Sequence, residues 1–119
     1  MPKKPVLGIC FGFQLLNVIL GGDIARMSKL CDKTIKVQKL ADHCLLEGLP
    51  DDFEAQCRHQ DKITSLSKSF HLLCKSRFVN QGFNSDENKF YGVQFHPENH
   101  VNTQVILDNF IYKICHYPN

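Results

Sequence analysis

Residues 5–13 constrain this chain more than any other stretch. The apolar run Pro5-Val6-Leu7-Gly8-Ile9 passes through Cys10-Phe11-Gly12 directly into a second apolar run, Phe13 to Leu20. A short continuous apolar run suits a strand buried on both faces of a parallel sheet. Phe13 to Leu20 is apolar on nearly every side, which marks a helix covered by other structure. Gly21-Gly22 then supplies the residue type that ends a helix in the left-handed conformation. Strand and helix joined with so little slack require a sharp turn, and the glycines flanking Cys10 permit one.

Downstream, Ile24 to Met27 and Ile35 to Leu40 alternate as strands, with polar residues between them as a hairpin or loop. Glu47-Gly48-Leu49-Pro50-Asp51-Asp52 is dense turn chemistry. A strand over Phe53 to Arg58 follows, then a polar segment around His59 to Ser69. Three further strands are predicted at His71 to Lys75, Arg77 to Phe83 and Phe90 to Phe95, the last two split by Asn84 to Asn88. From Asn102 to His116, Val105, Ile106, Phe110, Ile111 and Ile114 recur at helical spacing. The order is α/β in character but lopsided, because a first strand buried on both faces needs parallel neighbours and helices that this chain supplies sparingly.

The chain of 119 residues is the size of one domain. Lysine and arginine number 14 against 12 acids, a formal charge of +2 that argues for neither nucleic acid nor anionic lipid. No apolar stretch approaches the roughly 20 residues a membrane span needs. The Met1-Pro2-Lys3-Lys4 start precedes too short an apolar run for a signal peptide, so a cytoplasmic protein is expected. The six cysteines include no Cys-x-x-Cys pair. That spacing predicts reduced, core-filling thiols and no metal cluster.

Cys10 sits where a thiol gains chemistry. A helix amino terminus favours the thiolate, and the N–H after the nucleophile, on Phe11, can point at the oxygen of a tetrahedral intermediate. Near the other end, Gly92-Val93-Gln94-Phe95-His96-Pro97-Glu98 puts an imidazole and a carboxylate just past an apolar run. Pro97 holds that turn rigid, and Glu98 is placed to accept a hydrogen bond from the ring and fix one tautomer. Cys10, His96 and Glu98 are the parts of a nucleophilic triad that folding can assemble.

These two segments resemble the class I glutamine amidotransferases, which place a nucleophile in a Gly-x-Cys-x-Gly-x-x-Gln turn and the base and acid in a Gln-Phe-His-Pro-Glu segment. The GMP synthase branch of that family is the most similar, through Phe11, Leu46-Glu47-Gly48-Leu49-Pro50, His59-Gln60-Asp61-Lys62 and Phe90-Tyr91-Gly92-Val93. The likeness runs from Pro5 to Cys115. It implies a mostly parallel, open, flavodoxin-like α/β sheet, with residues 1–119 forming an amino-terminally incomplete amidotransferase domain. It also implies that Cys10 attacks the amide of glutamine to form a γ-glutamyl thioester, that His96 is the base and that Glu98 orients it. Phe11, Gly12, Gln14, Gln60 and Asp61 would line the substrate site. No cofactor is implied, and ammonia would pass to a synthetase domain or subunit.

Two departures accompany the resemblance. The family carries strand–helix units before the cysteine turn, one loop of which supplies a second oxyanion donor, and loss of one donor costs about 3–4 kcal/mol of transition-state stabilisation. Gln60 stands where the family has glycine, a strained position if φ there is positive. Two other readings of the same motifs therefore stand beside the enzyme: a catalytically inactive remnant or binding module, and a fragment of a longer amidotransferase.

Overall fold

The computed structural model describes residues 4–77 and 79–118. The basic start at Met1 to Lys3 and Phe78, part of the strand expected over Arg77 to Phe83, lie outside the described residues. Strand β1 (Val6–Ile9) leads into helix α1 (Phe11–Ile19), followed by β2 (Asp23–Lys39), β3 (Asp52–Ser65), β4 (His71–Ser76), β5 (Val79–Ser85), β6 (Phe90–Val93) and the short helix α2 (Val105–Asp108). The sheet order is β1-β6-β5-β4-β2-β3.

This sheet is mixed, not mostly parallel as the resemblance implied. Among the described residues only β1 and β6 pair in parallel; the other ladders are antiparallel. Short turns join β4 to β5 and β5 to β6, and a short turn can only reverse a strand, whereas parallel neighbours need a long crossover. The two strands expected at residues 24–27 and 35–40 are one long strand, irregular at Asp23/Ile24 and between Arg26 and Cys31. Its partner β3 runs on through the segment expected to be polar loop, because the alternation Phe53, Ala55, Cys57, His59 and Ile63 keeps one face buried. Two-stranded ribbons twist strongly, and this one curls until its end meets α1. There Asn17, fully buried on α1, donates to the carbonyls of Asp23 and Ser65 and accepts from the Ser67 N–H. Gly22 makes room for that clamp, since a Cβ would sit 2.3 Å from the Asn17 side chain.

Two apolar clusters hold the layers together. Phe13 on α1 stacks on Phe83, which stacks on Phe70, at centroid distances of 4.4 and 3.9 Å. On the other face Leu45, Leu46, Phe53, Leu73, Phe95 and Ile106 pack together. The helix expected over residues 102–116 is divided: α2 passes into a wider π-helical turn, Asn109–Ile114. Asn109 there turns inward and donates to the carbonyls of Leu45 and Glu47, a polar anchor that helical apolar spacing does not reveal.

Asp86 ties the β5–β6 turn to the loop before β3, accepting from Tyr91 Oη at 2.9 Å and pairing with His43 Nε2 at 3.0 Å. Burial alone would raise its pKa; the hydrogen bonds from His43 and Tyr91 outweigh it and hold the carboxyl below its ordinary value. A depressed folded pKa contributes stability that is complete above the unfolded value, about pH 4, and is lost as pH falls through the lower folded one. Urea denaturation at a series of acid pH values should therefore show a flatter acid limb in Asp86→Asn than in the parent chain.

β1 is an edge strand, with β6 as its one strand neighbour among the described residues. The first strand is less buried than its sequence predicts: Val6 is 41% exposed. The outward face of α1 also exposes Phe11, Leu15, Val18 and Ile19. Such a stripe beside an open edge favours self-association. Size-exclusion chromatography should show apparent mass rising with concentration, and Ile19→Glu should shift the chain toward monomer. No helix among the described residues is long and apolar enough to cross a membrane.

Candidate active site

Cys10 is the whole turn between β1 and α1. Its N–H donates to Val93 O at 2.9 Å, extending the parallel ladder one residue, while its carbonyl accepts from Gln14 N–H in the first turn of α1. Serving both elements at once forces φ 56° and ψ −105°, a conformation uncommon for a residue with a Cβ. Gly8 makes the crossing possible: a Cβ there would lie 2.6 Å from Gly12 C and 2.8 Å from Phe13 N. Gly12 is different, because a Cβ on it would meet nothing within 4 Å.

The Cys10 sulfur lies on β3, donating to Arg58 O at 3.4 Å, with Gln94 Nε2 3.8 Å away. Burial pushes the thiol above its ordinary pKa; the Phe11 N–H pulls it down, the Glu98 carboxylate adds to the rise, and the Gln94 amide opposes it. The net direction is opposite to the one predicted from the helix terminus alone. Partial burial of a short helix end costs the thiolate more solvation than one N–H and one amide restore. At rest Cys10 is a protonated thiol, and forming its thiolate at neutral pH calls for a base.

His96 follows where β6 has run out. Its N–H donates to Gln56 O at 2.9 Å, so the chain crosses from β6 onto β3. Pro97 opens a 3-10 turn, Pro97–Asn99, a position that suits its missing N–H, and Thr103 Oγ1 donates to the Pro97 carbonyl from within the core. The turn brings Glu98 Oε2 to 3.0 Å from His96 Nδ1. With Nδ1 so engaged, Nε2 is the ring nitrogen left for proton transfer. Carbonyls two residues apart on a strand point the same way. Gln56 O and Arg58 O thus hold His96 and Cys10 along one edge of β3, which places the two predicted motifs side by side. In this state the thiol hydrogen bond goes to Arg58, not to His96.

Gln14 is 3% exposed, and its Nε2 donates to Asp61 O at 2.7 Å and to Gln94 Oε1 at 3.0 Å. The Gln60 side chain turns away toward β2, accepting from Arg26 and donating to Met27 O, and Asp61 pairs with Arg26 at 3.6 Å. Gln60 is not among the residues with positive φ, so glutamine is accommodated in the strand without the strain that position would otherwise carry. Phe11 projects outward, 67% exposed. Gln94 is a residue that sequence reasoning misses. It is fully buried between Cys10 and Gln14, and its sequence signals are a polar residue just past the apolar end of β6 and its place at the head of the Gln-Phe-His-Pro-Glu segment. His59 is also buried here; burial pushes its imidazole down, partly offset by a hydrogen bond to Asp61 O.

A strained cysteine turn between strand and helix thus stands beside a His–Glu pair on a mixed α/β sheet. The family model for class-I glutamine amidotransferases matches residues 1–114, and the chain belongs to that family. It is 36% identical over 114 residues to a subunit of the glutamine-hydrolyzing GMP synthase of Methanococcus maripaludis, covering 93% of this chain and 60% of that protein. It is 33% identical over 114 residues to the glutamine-hydrolyzing GMP synthase of Aquifex aeolicus, covering 93% of this chain and 22% of that one. Among solved structures, a protein described as a GMP synthase subunit from Thermoplasma acidophilum superposes with a TM-score of 0.88 at 29% identity, covering 97% of this chain and 59% of the other. A glutamine amidotransferase from Thermotoga maritima superposes at 0.72, also at 29% identity, covering 92% and 47%. The chain thus spans about three fifths of the Methanococcus relative and about a fifth of the longer Aquifex synthase.

Proposed function

We propose that this chain carries the glutaminase chemistry of a GMP-synthase-type amidotransferase. Cys10, held at φ 56° in the strand-to-helix turn with its sulfur on Arg58 O and His96–Glu98 on the same edge of β3, is the observation that carries the reading. Rotation of the thiol from Arg58 O toward His96 lets Nε2 take its proton as sulfur attacks the side-chain carbonyl carbon of glutamine. The carbonyl π electrons move onto oxygen, where the Phe11 N–H donates to the oxyanion. Collapse of this intermediate expels the amide nitrogen, which takes the proton from His96 and leaves as ammonia. Water, deprotonated by His96, then attacks the thioester, releases glutamate and returns the proton to the thiol. Glu98 holds the imidazole and stabilises its charged form.

Gln14 acts here as a positioning residue, setting the Asp61 carbonyl and Gln94 against the pocket, while Gly12 leaves the approach to sulfur open. Residues 1–119 form part of an amidotransferase domain, and the ammonia acceptor is a synthetase domain or subunit. Mass spectrometry of the chain mixed with glutamine tests the core claim. A γ-glutamyl adduct on Cys10, absent in Cys10→Ala, is expected even where turnover is slow. No adduct and no glutamate, with or without a synthetase partner, would end the enzyme reading and favour a binding module.

A further inference from the structure

Cys31, Cys57 and His59 converge on one face of the β2/β3 ladder. Cys31 pairs in register with His59, and Cys57, two residues earlier on β3, points to the same side. Their ligand atoms all lie within 4.8 Å of one another, and the two sulfurs are 2.9 Å apart. Cys57 and His59 are buried, at 0% and 5% exposure, while Cys31 is half-buried. His59 Nδ1 meets the Asp61 carbonyl at 2.7 Å, so that nitrogen carries the proton and Nε2 keeps its lone pair. Nε2 is fully buried with no hydrogen-bond partner. A buried ring nitrogen left unsatisfied is costly, and a metal-ligating histidine is commonly arranged this way, its other N–H donating to a backbone carbonyl.

We propose that Cys31, Cys57 and His59 bind a zinc ion. Two thiolates and an imidazole select a borderline-soft cation over magnesium or calcium. Binding releases both thiol protons to solvent; the two thiolates neutralise the dication and the imidazole is neutral, so the buried site carries no net charge. Tetrahedral zinc with bonds of about 2.3 Å to sulfur and 2.0–2.1 Å to nitrogen separates its donors by about 3.5–3.8 Å. The sulfurs must therefore part by less than about 1 Å. Cys31 supplies that movement, because it begins the paired stretch of β2 just after the irregularity that follows Arg26. Cys31 also opens onto a cleft with room for a water as fourth ligand, and the Lys33, Lys62 and Arg77 charges that line it favour the thiolates. The lack of a Cys-x-x-Cys pair, which predicts no metal cluster, does not bear on this site: its ligands come from two strands and meet only through their register.

The full chain, reduced and stripped with chelator, would be titrated separately with zinc and with cobalt(II). About one equivalent should bind, cobalt giving sulfur-to-metal charge-transfer and tetrahedral ligand-field absorption, and zinc should raise the melting temperature. Cys31→Ser should weaken the charge-transfer band and lower affinity more than about tenfold. His59→Gln should lower affinity and shift the ligand-field band while keeping the charge transfer. Cys44→Ser, at an exposed thiol elsewhere, should match the parent. Cys31 is accessible enough that its variant reports even if Cys57→Ser fails to fold. Absence of cobalt binding by the reduced chain would overturn the proposal. So would binding unchanged in Cys31→Ser, or a Cys31–Cys57 disulfide whose reduction yields no metal uptake. None of these readouts depends on glutamine chemistry.

Discussion

Alkylation of Cys10 by a glutamine-like electrophile is expected to slow by about 10²–10⁴-fold when His96 is replaced by alanine, the usual contribution of a positioned general base. The reason lies in the thiol itself. Burial and the Glu98 carboxylate hold it above an ordinary cysteine, so little thiolate exists at neutral pH without a proton acceptor. On the proposed reading the imidazole supplies that acceptor in the parent chain; in His96→Ala the rate should follow the thiolate alone and recover only as pH rises through the raised thiol value. Glu98→Gln separates the two effects. Removing the carboxylate lowers the Cys10 midpoint, since Glu98 raises it, yet slows the reaction at neutral pH, because the ring loses the partner 3.0 Å from Nδ1. Cys44, exposed and remote, is the internal reference and should label equally in all three chains. Mass mapping at several pH values decides the matter, and equal labelling of Cys10 with and without His96 would remove it from the base role.

The second large effect falls on stability. Gly8→Ala should destabilise the fold by about 3 kcal/mol, the upper end of the cost of overpacking. The new Cβ would meet backbone atoms of Gly12 and Phe13 at 2.6–2.8 Å, and backbone at the start of a helix cannot step aside as a flexible side chain can. Relief would require α1 to lift off β1, carrying Phe13 out of its stack with Phe83. Gly12→Ala, on the helix side of the same crossing, should do the reverse. It meets nothing within 4 Å and gains the helix propensity that glycine lacks, about 0.5–1 kcal/mol. If Gly12 keeps the approach to sulfur clear, the same variant should label Cys10 more slowly while melting at a higher temperature. Equal stabilities for the two variants would show that the strand-to-helix crossing is looser than these close contacts require.

Local chemistry makes several features legible in the residues themselves. A continuous apolar run, a glycine-framed cysteine and an apolar helix stretch identify β1, the turn and α1, because each is a short-range preference written in adjacent residues. Gly21 at φ 94° and Gly48 at φ 93° fall in the predicted helix stop and turn for the same reason. The His96–Glu98 pair is equally readable, being two residues apart across a proline. Strand direction is not. Whether neighbours run parallel depends on which strands meet, and apolar runs do not show that short turns reverse β4, β5 and β6. The unbroken length of β2 and β3 is hidden too, since the polar residues of an exposed ribbon look like loop until a partner strand satisfies their backbone groups.

Sequence alone thus determined which residues are candidates for chemistry: a thiol, an imidazole, a carboxylate and the glycine geometry around the first of them. Tertiary structure alone decided what surrounds them. The curl of the β2/β3 ribbon brings Gln56 and Arg58 under His96 and Cys10, turns Gln14 into a brace for Asp61 and Gln94, and sets Cys31 against Cys57 and His59. Each of these contacts joins residues far apart in the chain. Burial, which fixes the protonation of the Cys10 thiol, is likewise a property of the assembled fold, since solvent is excluded by all the elements together and by none of them singly.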